Sequence, residues 1–243
     1  MMREINILES FPKTKRNLDS GWRTDDNRKI AKLFGKEFFD GDRVNGYGGY
    51  YYDGRWKGVV KKLQEIYGIN SNSSVLDIGC AKGFLLYDLQ EMIPGIRVAG
   101  LDISKYALNH AVGGLEGYMI KQGMPEKEAK EFEEIGRRKV LPFMIEGSAD
   151  NLPWPDSSFD ILLSINTIHN LPEERCRKAI REMLRVGRNK KKMFIEVDAY
   201  RNEAEKERTE NWVLTAETMK SFEGWIALYK EEGYDGDYFW FTA

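Results

Sequence analysis

The sequence predicts an α/β fold in which helices cover both faces of a mostly parallel sheet. The apolar run Val75–Ile78 (VLDI) is typical of a strand buried on both faces. Gly79 and Gly83 bracket a tight turn behind it, and Phe84–Met92 then resumes at helical spacing. Short apolar segments and amphipathic segments alternate through the rest of the chain, which is the pattern of parallel strands joined by helical crossovers.

Length and composition are sufficient for one α/β core, and two domains are possible but not required. The chain has 243 residues, of which 42% are apolar. Its net charge of −2 gives no basic excess for a nucleic-acid partner, so none is expected. Apolar runs are too short to span a membrane, and Cys80 and Cys176 lack metal-ligand spacing. We therefore expect a cytoplasmic protein without a metal site.

Residues 1–58 are predicted to form an N-terminal arm and a lid, ahead of a core over residues 59–243. The arm begins as a polar, loosely ordered segment, and Arg28–Phe39 has the apolar spacing of a short amphipathic helix. Residues 40–56 interleave five glycines with four tyrosines, which predicts a tight loop instead of a helix. Such a loop is either a surface loop packed by its own rings or a cover over a ligand.

The elements of the core follow from apolar periodicity. Strands after the first are predicted at Arg97–Ile103, Phe143–Ile145, Phe159–Ile165, Met193–Val197 and Tyr234–Thr242. Helices are predicted at Gly58–Tyr67, Phe84–Met92, Ser104–Ala111, Arg175–Val186, Glu203–Thr218 and Thr218–Glu232.

A charged segment at about 113–140 interrupts this alternation and is predicted to be a helical insertion. Its helix is expected from Pro125 to about Arg137, because proline suits a first turn and acidic residues precede basic ones. A charged run is commonly a solvated face. The insertion is otherwise a cap over an acceptor site or an oligomer contact, such as that of a homodimer.

Asp102 ends the second core strand, about twenty residues beyond the glycine turn, as in dinucleotide-binding units. A carboxylate at this position accepts hydrogen bonds from both hydroxyls of an adenosine ribose. Alternatively, Asp102 caps the helix that begins near Ser104. The two roles are compatible.

The motif VLDIGCAKG, followed by GLDIS, resembles motif I and the acidic second-strand end of class I S-adenosylmethionine-dependent methyltransferases. Gly79, Ala81 and Gly83 match their G-x-G-x-G turn with alanine at the middle glycine, whereas dehydrogenases carry G-x-G-x-x-G. The resemblance implies a Rossmann-like seven-stranded sheet whose terminal strand, Tyr234–Thr242, is antiparallel. It also implies S-adenosylmethionine as cofactor and S-adenosylhomocysteine as product.

The resemblance further implies which residues bind the cofactor. In the loop after the third strand, Ser148 stands where an aspartate often meets the adenine amino group, Ala149 offers its backbone N–H, and Asp150 can replace the missing carboxylate. Lid residues are expected at the methionine end of the cofactor or at the acceptor. The implied set is Asp77, Gly79, Cys80, Ala81, Gly83, Asp102, Ile103, Ser148, Ala149, Asp150 and Ser164 from the core, with Tyr51, Tyr52 and Arg55 from the lid.

The segment after the fourth strand, NTIHNL, is the expected place of methyl transfer. Because that reaction is an in-line displacement, the protein's main tasks are alignment and desolvation, and a base is needed only if the acceptor loses a proton. His169, one of two histidines, is the candidate base, since imidazole titrates near neutrality. Asn166 is expected to orient the acceptor, and Asp198 is a second candidate base or acceptor ligand. Alternatively, His169 only hydrogen-bonds its own loop.

The leading functional hypothesis is a methyltransferase acting on an O or N atom of a small-molecule acceptor. The motifs GYGGYYYDGRW, GCAKGF, SINTIHNL and GYDGDYFWF are similar to bacterial methyltransferases of surface-polysaccharide and modified-sugar pathways, which suggests a sugar or sugar nucleotide. Two alternatives remain, a methyltransferase of RNA or peptide and a scaffold that binds cofactor without turnover. A nicotinamide dehydrogenase is disfavoured by the glycine spacing.

Overall fold

The computed structural model describes residues 2–12 and 16–242. Within these ranges the strands β1 to β8 are Arg3–Glu4, Ser74–Ile78, Arg97–Asp102, Met144–Glu146, Ile161–Ile165, Met193–Tyr200, Lys220–Ser221 and Asp237–Phe241. The helices α1 to α10 are Asp25–Ala31, Lys36–Phe39, Trp56–Tyr67, Phe84–Met92, Lys105–Asn109, Leu115–Lys121, Glu126–Val140, Glu173–Val186, Glu203–Trp212 and Phe222–Glu231. Short 3-10 turns follow α7 and β5, at Leu141–Phe143 and Ile168–Asn170.

The strands form one sheet in the order β1-β8-β6-β5-β2-β3-β4, with β7 beside the end of β6. Every pairing in the described ranges is parallel. The strand β2 lies between β3 and β5, so the chain changes direction across the sheet at β2. In open α/β sheets, a crevice forms outside the carboxyl ends of the strands at such a switch point. The predicted Rossmann-like, mostly parallel sheet is confirmed.

Two apolar layers cover the sheet. On one face, Val75 and Leu163 pack with the buried sides of α3 and α4. On the other face, Leu76 and Leu162 pack with α8 and α10. Neighbouring residues of β2 and β5 thus enter opposite layers, as expected for strands buried on both faces.

The prediction of an antiparallel terminal strand is wrong. The predicted segment Tyr234–Thr242 contains β8, and β8 pairs with β6 in parallel, with Ile195 opposite Tyr238. The physical reason is the helix α10, which carries the chain back along the outside of the sheet before β8 begins. A parallel neighbour requires such a crossover, whereas an antiparallel one can follow a short hairpin.

The N-terminal region is more ordered than predicted. The strand β1 joins the sheet beside β8, and Arg3 donates two hydrogen bonds of 2.8 Å to Asp237. The single helix expected at Arg28–Phe39 is two helices, because the backbone at Phe34 turns into the left-handed region with φ of 48°. Residues 40–55 contain no strand and no helix, in agreement with the predicted loop.

The charged insertion contains two helices, α6 and α7, where one was predicted. The helix α7 begins directly after Pro125 and continues to Val140. A Cβ built on Gly136 would lie 2.9 Å from Leu115 and 3.1 Å from Tyr87, so this glycine allows α7 to pack closely on α6 and α4. None of the helices in the described part of the chain is both long and apolar enough to cross a membrane.

Candidate active site at the carboxyl edge of the sheet

The turn after β2 is held tightly against the neighbouring strands. The backbone N–H groups of Gly79 and Cys80 both donate to the carbonyl of Leu101, at 2.7 and 3.1 Å. Gly79 has φ of 84°, and a Cβ added to it would lie 1.9 Å from Oγ1 of Thr167. Glycine is therefore required here by backbone conformation and by space. The turn contacts the loop that follows β5.

Asp102 connects this turn to the next helix. Its Oδ2 accepts a hydrogen bond of 2.7 Å from the Ala81 N–H, and its Oδ1 accepts one of 2.7 Å from the Ser104 N–H. The helix α5 is capped by Ser104, whose hydroxyl accepts from the Ala107 N–H, so the alternative in which Asp102 is the cap is wrong; Asp102 instead holds the backbone of the capping residue. Each carboxylate oxygen has a second lone pair, so both can still accept a ligand hydroxyl. Burial raises the pKa of Asp102, and the two N–H donors oppose that shift.

Asp77 is a buried carboxylate without such support. Burial and the nearby charge of Asp102 raise its pKa to about 7, and no hydrogen bond to it contributes. Cys80 lies beside it in the turn with a buried side chain against Gly100, and burial raises the pKa of the Cys80 thiol. A cationic ligand group beside Asp77 would stabilise its ionised form.

The loop after β4 holds its carboxylate in an ion pair. Arg175 donates to Asp150 at 2.8 and 3.0 Å, and the Ser148 hydroxyl donates at 2.5 Å. Arg175 and Ser148 together lower the pKa of Asp150 to about 2, so its charge is already compensated within the loop. Ala149 is buried beside it. Ile103, after β3, presents an apolar side chain that is 52% exposed, which suits packing against a flat ring.

Unpartnered polar atoms collect where β5 and β6 end. Ser164 Oγ, Asn166 Oδ1, His169 Nδ1 and Glu196 Oε2 are buried and have no hydrogen-bond partner among the described residues. Burial and the charge of Asp198 raise the pKa of Glu196 to about 8. Buried polar atoms in folded proteins are nearly always satisfied. This edge of the sheet therefore has the polarity of a site for a ligand.

His169 and Asp198 form a pair at the same edge. His169 Nε2 lies 3.3 Å from Asp198 Oδ2, and both residues are buried. The His169 carbonyl accepts hydrogen bonds from the N–H groups of Glu217 and Thr218, at 3.0 and 2.9 Å, which fixes the loop. The carbonyl of Asp198 accepts a hydrogen bond of 3.0 Å from the Trp225 ring N–H. The sequence-predicted catalytic residues His169, Asn166 and Asp198 thus come from two adjacent strand ends.

Lys82 ties the lid to the glycine turn, a role that the sequence reasoning missed. Its ammonium donates to both carboxylate oxygens of Asp40 at 2.7 Å and to the Tyr50 carbonyl at 2.8 Å. The Tyr106 hydroxyl donates to the same carboxylate at 2.8 Å. Lys82 is 1% exposed, so this ion pair is shielded from solvent.

The lid residues that approach the site are not all those predicted. Tyr51 is 57% exposed, while Tyr52 is buried and donates to Asp88 at 2.5 Å. Arg55 is engaged by Asp53 at 2.6 Å. Tyr47 and Tyr50 were not singled out; the Tyr47 ring is 40% exposed and packs on Tyr50 at 4.5 Å between centroids, and the Tyr50 ring stacks on Phe84, at the start of α4, at 4.8 Å. The contact roles predicted for Tyr51, Tyr52 and Arg55 stay predictions.

A family model described as a methyltransferase domain matches residues 69–233. A sterol 24-C-methyltransferase from Gibberella zeae is 31% identical over 121 residues, which are 49% of this chain and 27% of the relative. A demethylmenaquinone methyltransferase from Listeria welshimeri is 26% identical over 159 residues, covering 65% of this chain and 57% of the relative. The chain therefore spans about a quarter to three-fifths of the length of these relatives.

Among solved structures, the chain matches the YcgJ protein from Bacillus subtilis with a TM-score of 0.48 and 19% identity, covering 71% of this chain and 66% of that one. In the described ranges no group of three or more His, Cys, Asp or Glu side chains is placed to hold a metal ion.

The family model covers the turn, both carboxylates Asp77 and Asp102, and the His169 loop. The chain belongs to the methyltransferase-domain family, and its cofactor is S-adenosylmethionine.

Proposed function

We propose that this protein transfers the methyl group of S-adenosylmethionine to an O or N atom of a small-molecule acceptor. The observation that carries the proposal is the His169–Asp198 pair, whose free Nδ1 is buried beside other unpartnered polar atoms at the carboxyl edge. Sterol and demethylmenaquinone, the substrates in the names of the two relatives, are small molecules. The sterol enzyme's name also gives carbon as its acceptor atom, so the assay must detect methylation at any atom.

The residues of the edge fit the cofactor. Asp102 has lone pairs free for the ribose hydroxyls, and Ile103 offers an exposed apolar surface to the adenine. The unsupported carboxylate of Asp77 suits the ammonium of the methionine end, which would lower its raised pKa. Gly79 has a different role, because Thr167 fills the space where its Cβ would lie, so this glycine sets the turn against the His169 loop. Asp150, paired with Arg175, is a weaker candidate for the adenine contact because its charge is already compensated.

The cofactor supplies a methyl group on a positively charged sulfur. Asp198 Oδ2 lies 3.3 Å from Nε2 of His169, where it favours the tautomer that carries its proton on Nε2 and a free lone pair on Nδ1. Nδ1 then removes the proton that an O–H or N–H acceptor loses. The Asn166 amide orients the acceptor, and the lid over Asp40 and Tyr50 excludes water.

A sugar or sugar nucleotide is the narrower acceptor that we propose, on the similarity of the lid and of the SINTIHNL segment to bacterial sugar-pathway methyltransferases. A peptide or RNA acceptor is the second candidate class, and a silent cofactor-binding scaffold is the third. We further expect a cytoplasmic protein, because both cysteines are free and buried, with a homodimer as one possible assembly.

Calorimetric titration with S-adenosylhomocysteine tests the cofactor, with NADH as the control ligand. Micromolar binding of the first ligand alone is expected. Acceptors are then screened with radiolabelled S-adenosylmethionine, sugar nucleotides first. Absence of S-adenosylhomocysteine binding would contradict the proposal, and binding without transfer to any acceptor class would favour the scaffold.

His169→Asn tests the base once an acceptor is found. Loss of the proton acceptor should lower kcat by about 10²-fold or more, while affinity for S-adenosylhomocysteine stays near that of the wild type. His110→Asn is the matched control, because His110 is exposed and stacks on Tyr106 at 4.0 Å, outside the edge. Unchanged turnover of His169→Asn at saturating acceptor would refute the assignment.

A further inference from the structure

Three arginines lie around the ring of Trp212, the last residue of α9. The guanidinium carbon of Arg23 lies 4.0 Å from the ring centroid, that of Arg43 lies 5.3 Å away, and that of Arg16 lies 5.8 Å away. Arg16 also lies 4.2 Å from the ring of Phe241, the last residue of β8. This arginine cluster (Arg16, Arg23 and Arg43) joins three separate parts of the N-terminal region at one place.

The cluster has no carboxylate partner among the described residues. Arg16 donates to the carbonyl of Thr242 at 2.9 Å, and Arg43 donates from Nη1 to the carbonyl of Tyr47 at 2.7 Å. Arg23 donates to the carbonyls of Trp212, Arg43 and Gly46. Backbone carbonyls satisfy these donors without neutralising the charges.

Donors that could meet an anion are left over. Nε and Nη2 of Arg16 and of Arg43 have no hydrogen bond to a described residue, and both side chains are only half-buried. Arg23 is 5% exposed, and its Nε is buried without any partner. Its guanidinium carbon lies 4.9 Å from the Trp22 ring centroid and 4.0 Å from that of Trp212, so aromatic faces stabilise this charge and Arg23 supports the cluster, while Arg16 and Arg43 keep the donors that an anion can reach.

The electrostatic state agrees with this geometry. Burial, together with the charges of Arg43 and Arg28, lowers the pKa of Arg23 to about 10. Burial lowers the pKa of Arg16 as well, and Asp198 and Glu196 lie close enough to oppose that shift. Burial raises the pKa of Glu196, which favours its neutral form. Arg16 lies over Phe241, and Phe241 is opposite Asp198 in the β6–β8 pairing, so the cluster lies at this edge of the sheet. A net positive charge remains beside the catalytic edge.

We propose that the arginine cluster binds an anionic oxygen group of the methyl acceptor, either a carboxylate or a phosphoryl group. This inference rests on the proposed function, because it makes the cluster part of the proposed acceptor site near His169. Arg16 and Arg43 hold the anion through their free donors, and Arg23 braces the loop that carries Arg43. Guanidinium groups suit this role, since their forked donors match both oxyanions in two-point contacts. The acceptor is then a charged small molecule, anchored by its anion while its reacting atom lies near His169.

Anion binding is measured directly, without turnover. Inorganic phosphate and succinate are titrated in turn into the protein saturated with S-adenosylhomocysteine, at ionic strength held constant with NaCl, and binding is followed by calorimetry and by tryptophan fluorescence. We expect saturable binding of one of the two probes, and the probe that binds distinguishes a phosphoryl group from a carboxylate. If neither probe binds, the proposal is overturned.

Variants locate the site. The double variant Arg16→Gln/Arg43→Gln should bind the anion at least tenfold more weakly, and Arg43→Lys, which keeps the charge but loses the fork, should lie between it and the wild type. Arg138→Gln, an exposed arginine on the inserted helix α7, removes a charge elsewhere and should bind as the wild type does. Equal weakening by Arg138→Gln, or none in the double variant, would refute the subsite. Failure of the wild type to bind S-adenosylhomocysteine would instead refute the proposed function, because anion binding can also be read without that ligand.

Discussion

Gly79→Ala should destabilise the protein far more than a chemically identical change at Gly68. Both glycines have positive φ, 84° and 65°, so alanine at either position incurs backbone strain of about 1–2 kcal/mol. At Gly68 nothing lies within 4 Å of an added Cβ. At Gly79 the added atom would lie 1.9 Å from Thr167 Oγ1 and 2.6 Å from its Cγ2. Forcing that loop aside adds about 1–3 kcal/mol, as overpacked cores do.

The measurement is urea unfolding of the wild type and the two variants. The dependence of the free energy of unfolding on urea concentration (the m-value) should be the same in all three, so that the comparison reports stability alone. We expect the free energy of unfolding to fall by about 1–2 kcal/mol for Gly68→Ala and by about 2–5 kcal/mol for Gly79→Ala. Affinity for S-adenosylhomocysteine should fall at least tenfold in Gly79→Ala alone. The reason is that the displaced Thr167 loop also carries Asn166 and His169.

A double-mutant cycle separates the contact from general strain. Thr167→Gly removes the side-chain atoms that the new methyl group would strike, so Gly79→Ala/Thr167→Gly should be more stable than the sum of the two single effects by about 1 kcal/mol or more. Equal losses at Gly79 and Gly68, or strict additivity in the cycle, would refute the argument that the turn is packed against this loop.

Two further variants test single carboxylates. Asp102→Ala should weaken S-adenosylhomocysteine binding at least tenfold, while turnover at saturating cofactor falls less; unaltered affinity would remove the ribose assignment. Arg175→Gln should lower the free energy of unfolding mainly above about pH 4: because the pKa of Asp150 is lowered to about 2, the ion pair stabilises the fold fully above about pH 4 and is lost as the pH falls toward 2. Urea unfolding from pH 6 to pH 2.5 should show the gap between wild type and variant shrinking with acidity, and a gap independent of pH would exclude this ion pair as its source.

The sequence was most informative where the determinants are local. The positions of Gly79, Gly83 and Asp102 around one turn could be predicted because a buried strand, a glycine turn and a second strand end follow each other closely along the chain. The position of the His169 loop at the same edge could be predicted as well, since parallel strands place their carboxyl ends at one edge. These features depend on periodicity and on the parallel rule, and both can be read from residue order.

Contacts between distant segments could not be predicted in this way. Lys82 and Asp40 are 42 residues apart, and nothing in their spacing indicates an ion pair. Arg16, Arg23 and Arg43 lie in loops without periodicity, so their meeting at Trp212 depends on the tertiary fold.

The predicted direction of β8 was wrong for a different reason. A strand shows the same alternation of side chains whichever way it runs, and only the connection to its neighbour distinguishes the two directions. The helix α10 fills that connection, and its length was visible in the sequence as the predicted helix Thr218–Glu232. When a full helix connects a strand to its neighbour in the sheet, the two strands usually run parallel. The prediction of an antiparallel strand came from the family resemblance, although the predicted helix favoured the parallel direction.

The glycine turn links the parts of the site that must act together. Gly79 touches Thr167, two residues before His169, and Lys82, three residues after Gly79, holds Asp40 and the Tyr50 carbonyl of the lid. The lid in turn carries Arg43, whose carbonyl accepts a hydrogen bond from Arg23. A displacement of this turn is therefore transmitted to the His169 loop through packing and to the lid through a buried ion pair. Because packed contacts transmit displacement instead of absorbing it, ligand binding at the turn is expected to set the positions of the base and the lid at once.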